Sequence, residues 1–538
     1  MLTVRRLPVI LHYALLLGYS IWAGGFLYRT TVIGIDGKRY FSLFDDAMIS
    51  MRYAWNLAHG QGLVWNAGER VEGYTNFLMT LLMSLASALF SKRMAVCAVQ
   101  VAGIAFMLIA SLLIVAIVRE VMAQQRLTWR PWYALLASLC VLGYYPLSFW
   151  SIMGMETGLL TMLLLLSVLA ALKVTGGGST RWRIILALAM SAAYLTRMDA
   201  LLFIVIIGGY LTWDAGSRRM PMRQYATAIA PIFLACGAVI AAHTLWRHAY
   251  YGAWVPNTYL LKVTGMPLPD RLRDGWGFLS FFVPQGCWAW ALALPALAVT
   301  LSRRTLFLVA FPVVLLLYQL WTGGDPWPLW RILSPGMPLL LALILLGAAR
   351  VWDHCAQQAI PRSMSTAVVG VLLAAAAIAL YHLNVAFRSE ITFQERPFSV
   401  QSNSLYVNTA VALNHLLLPG GRIGVICAGI IPYYTDAYAV DFLGKCDRTI
   451  ARLQPDRSGA VCMYRMKSLP GHNKYNLRYS FTHYHPDFAQ QLSWGRDRLD
   501  ASYGLTYDLY NYRNVLLYLR RGSPYLRSDA KAVFLESR

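Results

Sequence analysis

Residues 44–56 read Phe-Asp-Asp-Ala-Met-Ile-Ser-Met-Arg-Tyr-Ala-Trp-Asn, and they open a polar segment in a chain that is otherwise mostly apolar. The segment continues as Gly-Gln-Gly-Leu-Val-Trp-Asn at 60–66 and as Glu-Arg-Val-Glu-Gly-Tyr-Thr-Asn at 69–76. Two adjacent carboxylates, Asp45 and Asp46, precede Arg52, and a second acidic cluster closes the segment. We interpret residues 29–74 as a catalytic loop for which the rest of the chain is the scaffold.

The composition is that of a polytopic membrane protein. Of the 538 residues, 58% are hydrophobic and 13% are charged, whereas soluble domains carry about 25% charged residues. Because backbone groups in lipid must be satisfied internally, the spans are expected to be helices, and a soluble enzyme is excluded for most of the chain. The net charge of +22 is typical of basic cytoplasmic loops or of a surface facing lipid phosphate; it does not favour nucleic-acid binding.

A series of apolar segments approaches the ~20 residues that cross a bilayer. The first, at 7–28, follows a basic N-terminus and is interpreted as an uncleaved span that leaves 29–74 outside. The others lie at 75–91, 94–118, 132–150, 157–172, 184–197, 199–213, 224–245, 276–300, 305–321, 333–349 and 364–383. Two apolar segments lie between the outside loop that ends near Tyr74 and the inside loop at Arg119, although an odd number of crossings must connect these loops. The segment at 75–91 is therefore expected to be re-entrant or only partly inserted. We expect about 11 crossings in all.

Basic residues gather in alternate loops, which the positive-inside rule assigns to the cytoplasm. Examples are Arg119, Arg181, Arg218, Arg303 and Arg350. The remaining loops then lie outside, and they carry the unusual polar residues, at 153–157, 197–199, 248–262 and 323–331. The chain is therefore predicted to be a multi-pass protein of a bacterial inner membrane, with these loops on the periplasmic side.

Hydropathy falls after the last apolar segment, and short β-type runs follow at 421–428, 437–442 and 515–519. They predict a small periplasmic α/β domain at 387–538 that follows a transmembrane domain at 1–386. Cys446 and Cys462 lie in this part of the chain. A disulfide between them is left open, because spacing alone does not establish one. Zinc-type cysteine and histidine spacing is not present in the sequence.

Asp45 and Asp46 are the leading candidates for chemistry. On an extended backbone adjacent side chains point to opposite sides, so one of the two carboxylates is expected to face the reacting centre. A carboxylate at the membrane surface can deprotonate an acceptor hydroxyl. The alternative is structural, since an aspartate before the helix that contains Arg52 can act as its cap.

Basic residues of the outside loops form the second group of candidates: Arg52, Arg197, Lys262 and Arg331. Arginine can bind an anionic phosphate bidentately, although each of these side chains can equally reach a lipid headgroup. Arg197 lies between two apolar segments beside Asp199, where charges are usually functional. Its structural alternative is an Arg197–Asp199 ion pair.

A series of short motifs, each in a fixed order along the chain, resembles the motifs of a known family. They are Asp45-Asp46 with Arg52-Tyr53-Ala54 and Asn56, Gly62-Leu63-Val64 with Asn66, residues 68–76, Gly154-Met155-Glu156-Thr157, Leu195-Thr196-Arg197 with Asp199, Pro256-Asn257-Thr258, Gly323-Gly324-Asp325 with Arg331, Gly444, Asp447, Pro470-Gly471-His472 and His485-Pro486-Asp487. The chain resembles the GT-C membrane glycosyltransferases, in particular the mycobacterial terminal β-arabinofuranosyltransferase group and its proteobacterial relatives. Met198 departs from the proline frequent in that group.

The resemblance implies an all-α membrane fold with a periplasmic active site between the first loop and the helix ends. The donor would be a polyprenyl-phosphate sugar, with arabinofuranose preferred, and transfer would invert the anomeric centre. The aspartate pair would carry the base, with Asp45 favoured, and the basic candidates would bind the donor phosphate. Other expected substrate-site residues are Glu72, Tyr74, Asn76, Glu156, Asp199, Asn257, Asp325 and His472. A divalent cation near Asp46 is left open.

The favoured function is therefore sugar transfer from a lipid-linked donor to an exported acceptor, such as a surface glycan or a protein such as pilin. One alternative keeps the scaffold and changes the sugar to a hexose or aminoarabinose. A transporter of lipid-linked sugars is disfavoured, because its charges should lie near mid-membrane in paired halves. A receptor-like or assembly role leaves the aspartate segment unexplained.

Overall fold

The apolar segments of the sequence form helices, as expected for a backbone that must satisfy its own hydrogen bonds in lipid. The structure is a computed structural model that describes residues 2–358, 362–463 and 465–527. The helices are α1 Leu2–Arg29, α2 Asp45–Ala58, α3 Phe77–Leu89, α4 Lys92–Gln124, α5 Trp132–Leu142, α6 Tyr145–Ile152, α7 Thr157–Thr175, α8 Thr180–Thr196, α9 Leu201–Ser217, α10 Met222–Ala228, α11 Ala230–Tyr251, α12 Asn257–Lys262, α13 Leu268–Val299, α14 Arg303–Thr322, α15 Met337–Gln357, α16 Arg362–Asn384, α17 Arg388–Ile391, α18 Val400–Leu416, α19 Ile430–Thr435, α20 Arg448–Ala451 and α21 Leu477–Tyr484.

Within the described ranges, nine helices are long and apolar enough to cross a membrane. They are α1, α4, α7, α9, α11, α13, α14, α15 and α16, and the number is up to ten if α5 and α6 form one span bent by 60°. The sequence-based expectation was about 11. The difference arises because the segment at 184–197 becomes the 17-residue helix α8, which is not among these spans, and because the segment at 132–150 is divided into α5 and α6. The segment at 75–91, which was not expected to cross, becomes the 13-residue helix α3.

The residues that flank helix α3 each contact a distant part of the chain. Before it, the Asn76 side chain donates a hydrogen bond to Glu156 at 3.0 Å. After it, Lys92 at the start of α4 donates to the carbonyl of Tyr433 at 2.9 Å, which belongs to the C-terminal part of the chain. At 13 residues, α3 is also shorter than the helices that are long enough to cross a membrane. That the segment at 75–91 is re-entrant stays a prediction.

The C-terminal part contains the predicted strands, and two further short strands, at 32–33 and 39–40, lie in the first loop. The strands are β1 Val32–Ile33, β2 Arg39–Tyr40, β3 Arg422–Val425, β4 Tyr438–Asp441, β5 Phe488–Ala489, β6 Ser493–Trp494, β7 Asp497–Arg498, β8 Tyr507–Tyr512 and β9 Val515–Arg520. Five of them form a mixed sheet in the order β4-β3-β5-β9-β8. Strand β3 is parallel to β4 and β5, and β9 is antiparallel to β5 and β8.

The sheet and the first loop share one hydrophobic cluster. Ile423 and Leu517 of the sheet pack in the same buried group as Ile49 and Tyr53 of α2 and Trp65. The indole nitrogen of Trp65 donates to the carbonyl of Ala428 at 3.2 Å. This packing joins the C-terminal part directly to the segment that opens with the aspartate pair. The division of the chain after residue 386 stays a prediction.

The two cysteines considered for a disulfide are both free thiols. Cys446 is buried, and its Sγ lies 3.8 Å from the hydroxyl of Tyr53. Cys462 is exposed. The two side chains thus occupy different environments, and a disulfide between them does not form in this structure.

Candidate active site

The aspartate pair begins helix α2. Phe44 precedes it and packs edge-on against Trp150 and Trp327, with ring centroids 5.0 and 4.9 Å away. Carboxylates in a first helical turn are favoured by the helix dipole. Because successive residues of a helix are about 100° apart around its axis, the two carboxylates diverge. The sequence argument assumed an extended backbone, but its conclusion that one carboxylate faces away holds.

Asp46 faces a cavity and is surrounded by hydrogen-bond donors. Lys445 donates to its Oδ1 at 2.8 Å, and the indole of Trp327 donates to its Oδ2 at 3.1 Å. An Arg331 nitrogen lies 3.6 Å from the same Oδ2. Burial alone would raise the pKa of Asp46, but the Lys445 and Arg331 cations outweigh burial and hold that pKa well below its usual range. Asp46 is therefore ionised between these cations.

Asp45 points instead at the backbone of the C-terminal part. Its Oδ2 accepts from the Gly429 amide at 3.1 Å and its Oδ1 from the Ile430 amide at 2.9 Å. Gly429 must approach closely, since a Cβ there would lie 1.9 Å from the Asp45 carbonyl oxygen. Burial raises the pKa of Asp45 to about 6. Asp45 thus joins α2 to the start of α19 and does not line the cavity.

Arg331 is oriented by two neighbours. Asp325, 1% exposed, accepts from its Nε and Nη2 at 3.2 Å each. The Trp150 ring lies beneath the guanidinium at 5.6 Å. Because this bidentate pair fixes the planar group, its remaining Nη1 edge is directed toward Asp46.

Arg197 also lines the cavity. Its Nη2 lies 2.6 Å from Asp199 and its Nη1 lies 2.6 Å from Glu156. The other Glu156 oxygen accepts from Asn76 at 3.0 Å, and Ser50 of α2 donates to Asn76 at 2.8 Å. The Arg197–Asp199 pair that the sequence offered as a structural alternative is therefore present, and it belongs to a larger network that lines the cavity.

Lys262, at the end of α12, is the cavity cation without a hydrogen-bonded or ion-paired partner among the described residues. Burial lowers the pKa of its ammonium, and the nearby Arg331 and Arg197 act in the same direction. His472 lies near it, with its ring edge-on to Trp327 at 5.7 Å. Burial and the Lys445 cation lower the pKa of His472 to about 3, so its imidazole is neutral at physiological pH.

The cavity has a volume of about 180 Å³ and draws its walls from distant parts of the chain. Of the sequence-predicted residues, those that line it are Asp46, Tyr74, Asn76, Glu156, Arg197, Asp199, Lys262, Arg331 and His472. The outside loops that the sequence singled out therefore converge on one site.

Arg52 lies outside the cavity wall. Its Nε donates to the Trp65 carbonyl at 2.5 Å, and its other nitrogens donate to Asn66, to the Ala437 carbonyl at 2.8 Å and to the Pro432 carbonyl. Burial lowers the pKa of this guanidinium to about 10. With its donors occupied by the protein, Arg52 ties α2 to the C-terminal part, and the structure does not place it at a donor phosphate.

Glu72, Asn257 and Asp325 do not line the cavity. Glu72 is bound to Arg247 at 2.7 Å, and burial raises the pKa of Glu72 to about 7 despite that cation. The Asn257 amide donates to the carbonyls of Gly444 and Lys445 at 3.3 Å each. Asp325 orients Arg331, as described above.

Lys445, Trp327 and Tyr318 line the cavity and were missed by the sequence interpretation. Lys445 carried one signal, since it lies between Gly444 and Asp447, two residues of the family resemblance. Trp327 lies between Asp325 and Arg331, so its position in the loop was also indicated.

No group of three or more His, Cys, Asp or Glu side chains that could hold a metal ion occurs within residues 2–358, 362–463 and 465–527. The question of a divalent cation at Asp46 stays open, and no step below depends on one.

Two sequence comparisons find proteins that are similar to parts of the chain. Residues 395–522 match a family model described as a domain of unknown function (DUF8728). The chain is 28% identical over 370 residues to the terminal beta-(1->2)-arabinofuranosyltransferase of Corynebacterium glutamicum, covering 57% of this chain and 51% of that protein. The chain thus spans about half the length of the curated relative it matches.

Two solved membrane proteins share the fold. ArnT from Cupriavidus metallidurans bound to undecaprenyl phosphate superposes with a TM-score of 0.51 at 13% identity, over 80% of this chain and 85% of that one. Archaeal oligosaccharyltransferase AglB from Archaeoglobus fulgidus, in complex with an inhibitory peptide and a dolichol-phosphate, gives 0.52 at 10% identity, over 95% and 74%. The chain therefore has the GT-C fold, with apolar helices that can cross a membrane and a small C-terminal sheet.

Proposed function

We propose that this protein transfers a sugar, arabinofuranose, from a polyprenyl-phosphate donor to a hydroxyl of an exported acceptor. The acceptor class is a surface glycan or a protein such as pilin. By the positive-inside argument, the reaction takes place at the periplasmic face of a bacterial inner membrane.

The observation that carries the proposal is the charge arrangement around Asp46. One carboxylate lies between two cations, Lys445 at 2.8 Å and Arg331 at 3.6 Å, in a cavity also lined by Lys262, whose ammonium has no partner in the described part of the chain. Lys262 is half-buried, and an unpaired charge that is partly withdrawn from water is costly. The cavity therefore favours an anionic ligand. A phosphate-linked sugar supplies that anion, and an acceptor hydroxyl supplies the proton that a carboxylate can accept.

The chemistry is a single displacement. The acceptor oxygen bonds to the anomeric carbon while the bond from that carbon to the phosphate oxygen breaks, and the electron pair leaves with polyprenyl phosphate. Asp46 accepts the hydroxyl proton as general base. Arg331 and Lys262 stabilise the negative charge that grows on the leaving phosphate. Attack opposite the leaving group inverts the anomeric centre.

Asp46 is proposed as the base in preference to Asp45 because of where each carboxylate points. A base must lie within hydrogen-bond reach of the proton it removes. Asp46 lines the cavity, whereas both oxygens of Asp45 accept backbone amides of the C-terminal part. Asp45 is assigned the role of positioning α2.

Support for the donor class comes from the relatives. The Corynebacterium protein is an arabinofuranosyltransferase by name, and the ArnT and AglB structures contain undecaprenyl phosphate and a dolichol-phosphate. The position of the cavity suits such a donor, because its walls include residues at the C-terminal end of α14 and residues just before α7 and α9. These helices are long and apolar enough to cross a membrane, so a lipid tail can lie beside them.

The test is donor consumption by purified full-length protein. Polyprenyl-phosphoryl arabinofuranose, aminoarabinose and a hexose are each supplied with a small panel of sugar and peptide acceptors. Acceptor-dependent release of polyprenyl phosphate from the arabinofuranose donor supports the proposal. Release from another donor alone would replace the sugar and keep the reaction. No release from any donor, with movement of intact donor across vesicle membranes, would overturn the enzyme in favour of a transporter.

A further inference from the structure

The segment that matches the domain of unknown function, 395–522, supplies part of the cavity wall. Lys445, Pro470, Gly471 and His472 all belong to it. Lys445 brings the only positive charge that the described part of this segment contributes to that wall. The matched segment therefore lines the same cavity as Asp46.

The loop that presents Lys445 is held from both sides. Asp441 at the end of β4 accepts from the amides of Leu443 at 2.9 Å and Cys446 at 2.7 Å. The side-chain amide of Asn257 in α12 donates to the loop carbonyls of Gly444 and Lys445. Gly73 of the first loop approaches so closely that a Cβ there would lie 2.8 Å from the Lys445 carbonyl oxygen. The backbone at Lys445 is thus fixed relative to Asp46.

The side chain of Lys445 is less constrained than that of Arg331. Its ammonium makes one hydrogen bond among the described residues, to Asp46, and lysine carries three donors on a flexible stem. Arg331 is locked in a bidentate pair with Asp325. Of the two cations on Asp46, Lys445 is therefore the one that can change partner without breaking another ion pair.

We propose that Lys445 exchanges its partner during the reaction: it binds Asp46 before the donor arrives and moves to the donor phosphate when the donor binds. The exchange rests on the proposed function. It releases the Asp46 carboxylate to accept the acceptor proton, and it places a cation where negative charge grows as the phosphate leaves. The segment 395–522 thereby contributes a phosphate-binding residue of the active site.

The exchange predicts opposite effects on polyprenyl phosphate affinity for substitutions of Asp46 and of Lys445. Asp46→Asn removes the competitor of the phosphate and should tighten binding of polyprenyl phosphate several-fold, while transfer is lost. Lys445→Met should weaken that binding by at least about tenfold, the value of one charge-assisted hydrogen bond. A merely structural Lys445–Asp46 pair would weaken binding in both variants, so the tightening is the distinguishing result.

Binding is measured directly with the full-length protein in detergent, by titrating polyprenyl phosphate and following intrinsic tryptophan fluorescence. Lys467→Met is the matched control, since Lys467 belongs to the same segment, is exposed and does not line the cavity. Lys445→Met is also made together with Asp46→Asn. In this double variant the Asp46 carboxylate is absent, so the loss of Lys445 does not leave it without its cation. Lys445→Arg should recover part of the affinity.

The outcomes separate cleanly. Two results together support the exchange. Asp46→Asn binds polyprenyl phosphate more tightly than the wild type, and the double variant Asp46→Asn/Lys445→Met binds it more weakly than Asp46→Asn. Equal affinities in these variants and the wild type would overturn it. These binding results stand apart from the proposed function, which fails if the wild type binds polyprenyl phosphate yet releases none from any sugar donor.

Discussion

Asp46→Asn and Asp45→Asn, which alter adjacent residues, should have unlike effects on catalysis. A positioned general base contributes about 10²–10⁴-fold to a rate, equivalent to about 3–5 kcal/mol of barrier. The amide introduced by Asp46→Asn cannot accept the proton, so kcat should fall by that factor. The amide introduced by Asp45→Asn retains one carbonyl acceptor and loses the other. The lost acceptor costs about 1–3 kcal/mol of folding free energy, partly offset because a neutral amide is cheaper to bury.

The assay uses both purified variants at saturating donor and acceptor, with kcat measured from polyprenyl phosphate release and thermal stability measured in the same detergent. Asp46→Asn should lose at least about 100-fold in kcat while it remains folded. Asp45→Asn should melt earlier and keep most of its kcat. A folded Asp45→Asn protein without activity, beside an active Asp46→Asn protein, would refute the assignment and restore the base to Asp45.

Three further predictions concern the charges around the cavity. Lys445→Met leaves Asp46 without its nearest cation and should destabilise the protein. Adding Asp46→Asn should recover stability, with a coupling free energy between the two substitutions of about 1.5–3 kcal/mol. Additive effects on the free energy of unfolding would exclude a significant ion pair. Arg331→Lys loses the bidentate contact with Asp325 and should raise the donor KM about tenfold with little change in the acceptor KM; an unchanged donor KM would remove Arg331 from phosphate binding. Burial lowers the pKa of His472 to about 3, so unfolding takes up a proton below about pH 6.5. The melting temperature of the wild type should therefore fall relative to that of His472→Gln as the pH decreases from neutral to about 4. Parallel pH profiles of the two melting temperatures would show that His472 is not buried in its neutral form.

Much of the cavity could be predicted from the sequence because topology alone brings its residues to one face. Alternation of basic loops fixes which loops share a side, and this argument placed Glu156, Arg197, Lys262 and Arg331 together. The structure brings these four to one cavity. Their roles in donor binding and catalysis remain predictions.

The choice between Asp45 and Asp46 could not be made from the sequence, because it depends on which carboxylate reaches the amides of Gly429 and Ile430. Those partners lie 384 and 385 positions away along the chain. The prediction that Arg52 binds phosphate met the same limit, because its partners are also distant in the sequence. Its carbonyl partners at 432 and 437 are set by tertiary packing, which no local pattern reports.

Lys445 shows a further limit of sequence reasoning. It lies 399 positions from Asp46 in a loop after a short strand, where a lone lysine is usually solvated. Its burial follows from the packing of the C-terminal sheet onto the first loop. A prediction of a separate C-terminal domain naturally assigns such a residue to the surface.

The central claim is that this cavity binds a lipid-linked phosphate among its cations. The most direct measurement is a cryo-electron microscopy structure of the full-length protein with polyprenyl phosphate. We predict the phosphate within hydrogen-bonding distance of Lys445, with Arg331 and Lys262 beside it and Asp46 free of Lys445. A phosphate bound outside this cavity, with the Lys445–Asp46 pair intact, would contradict the account.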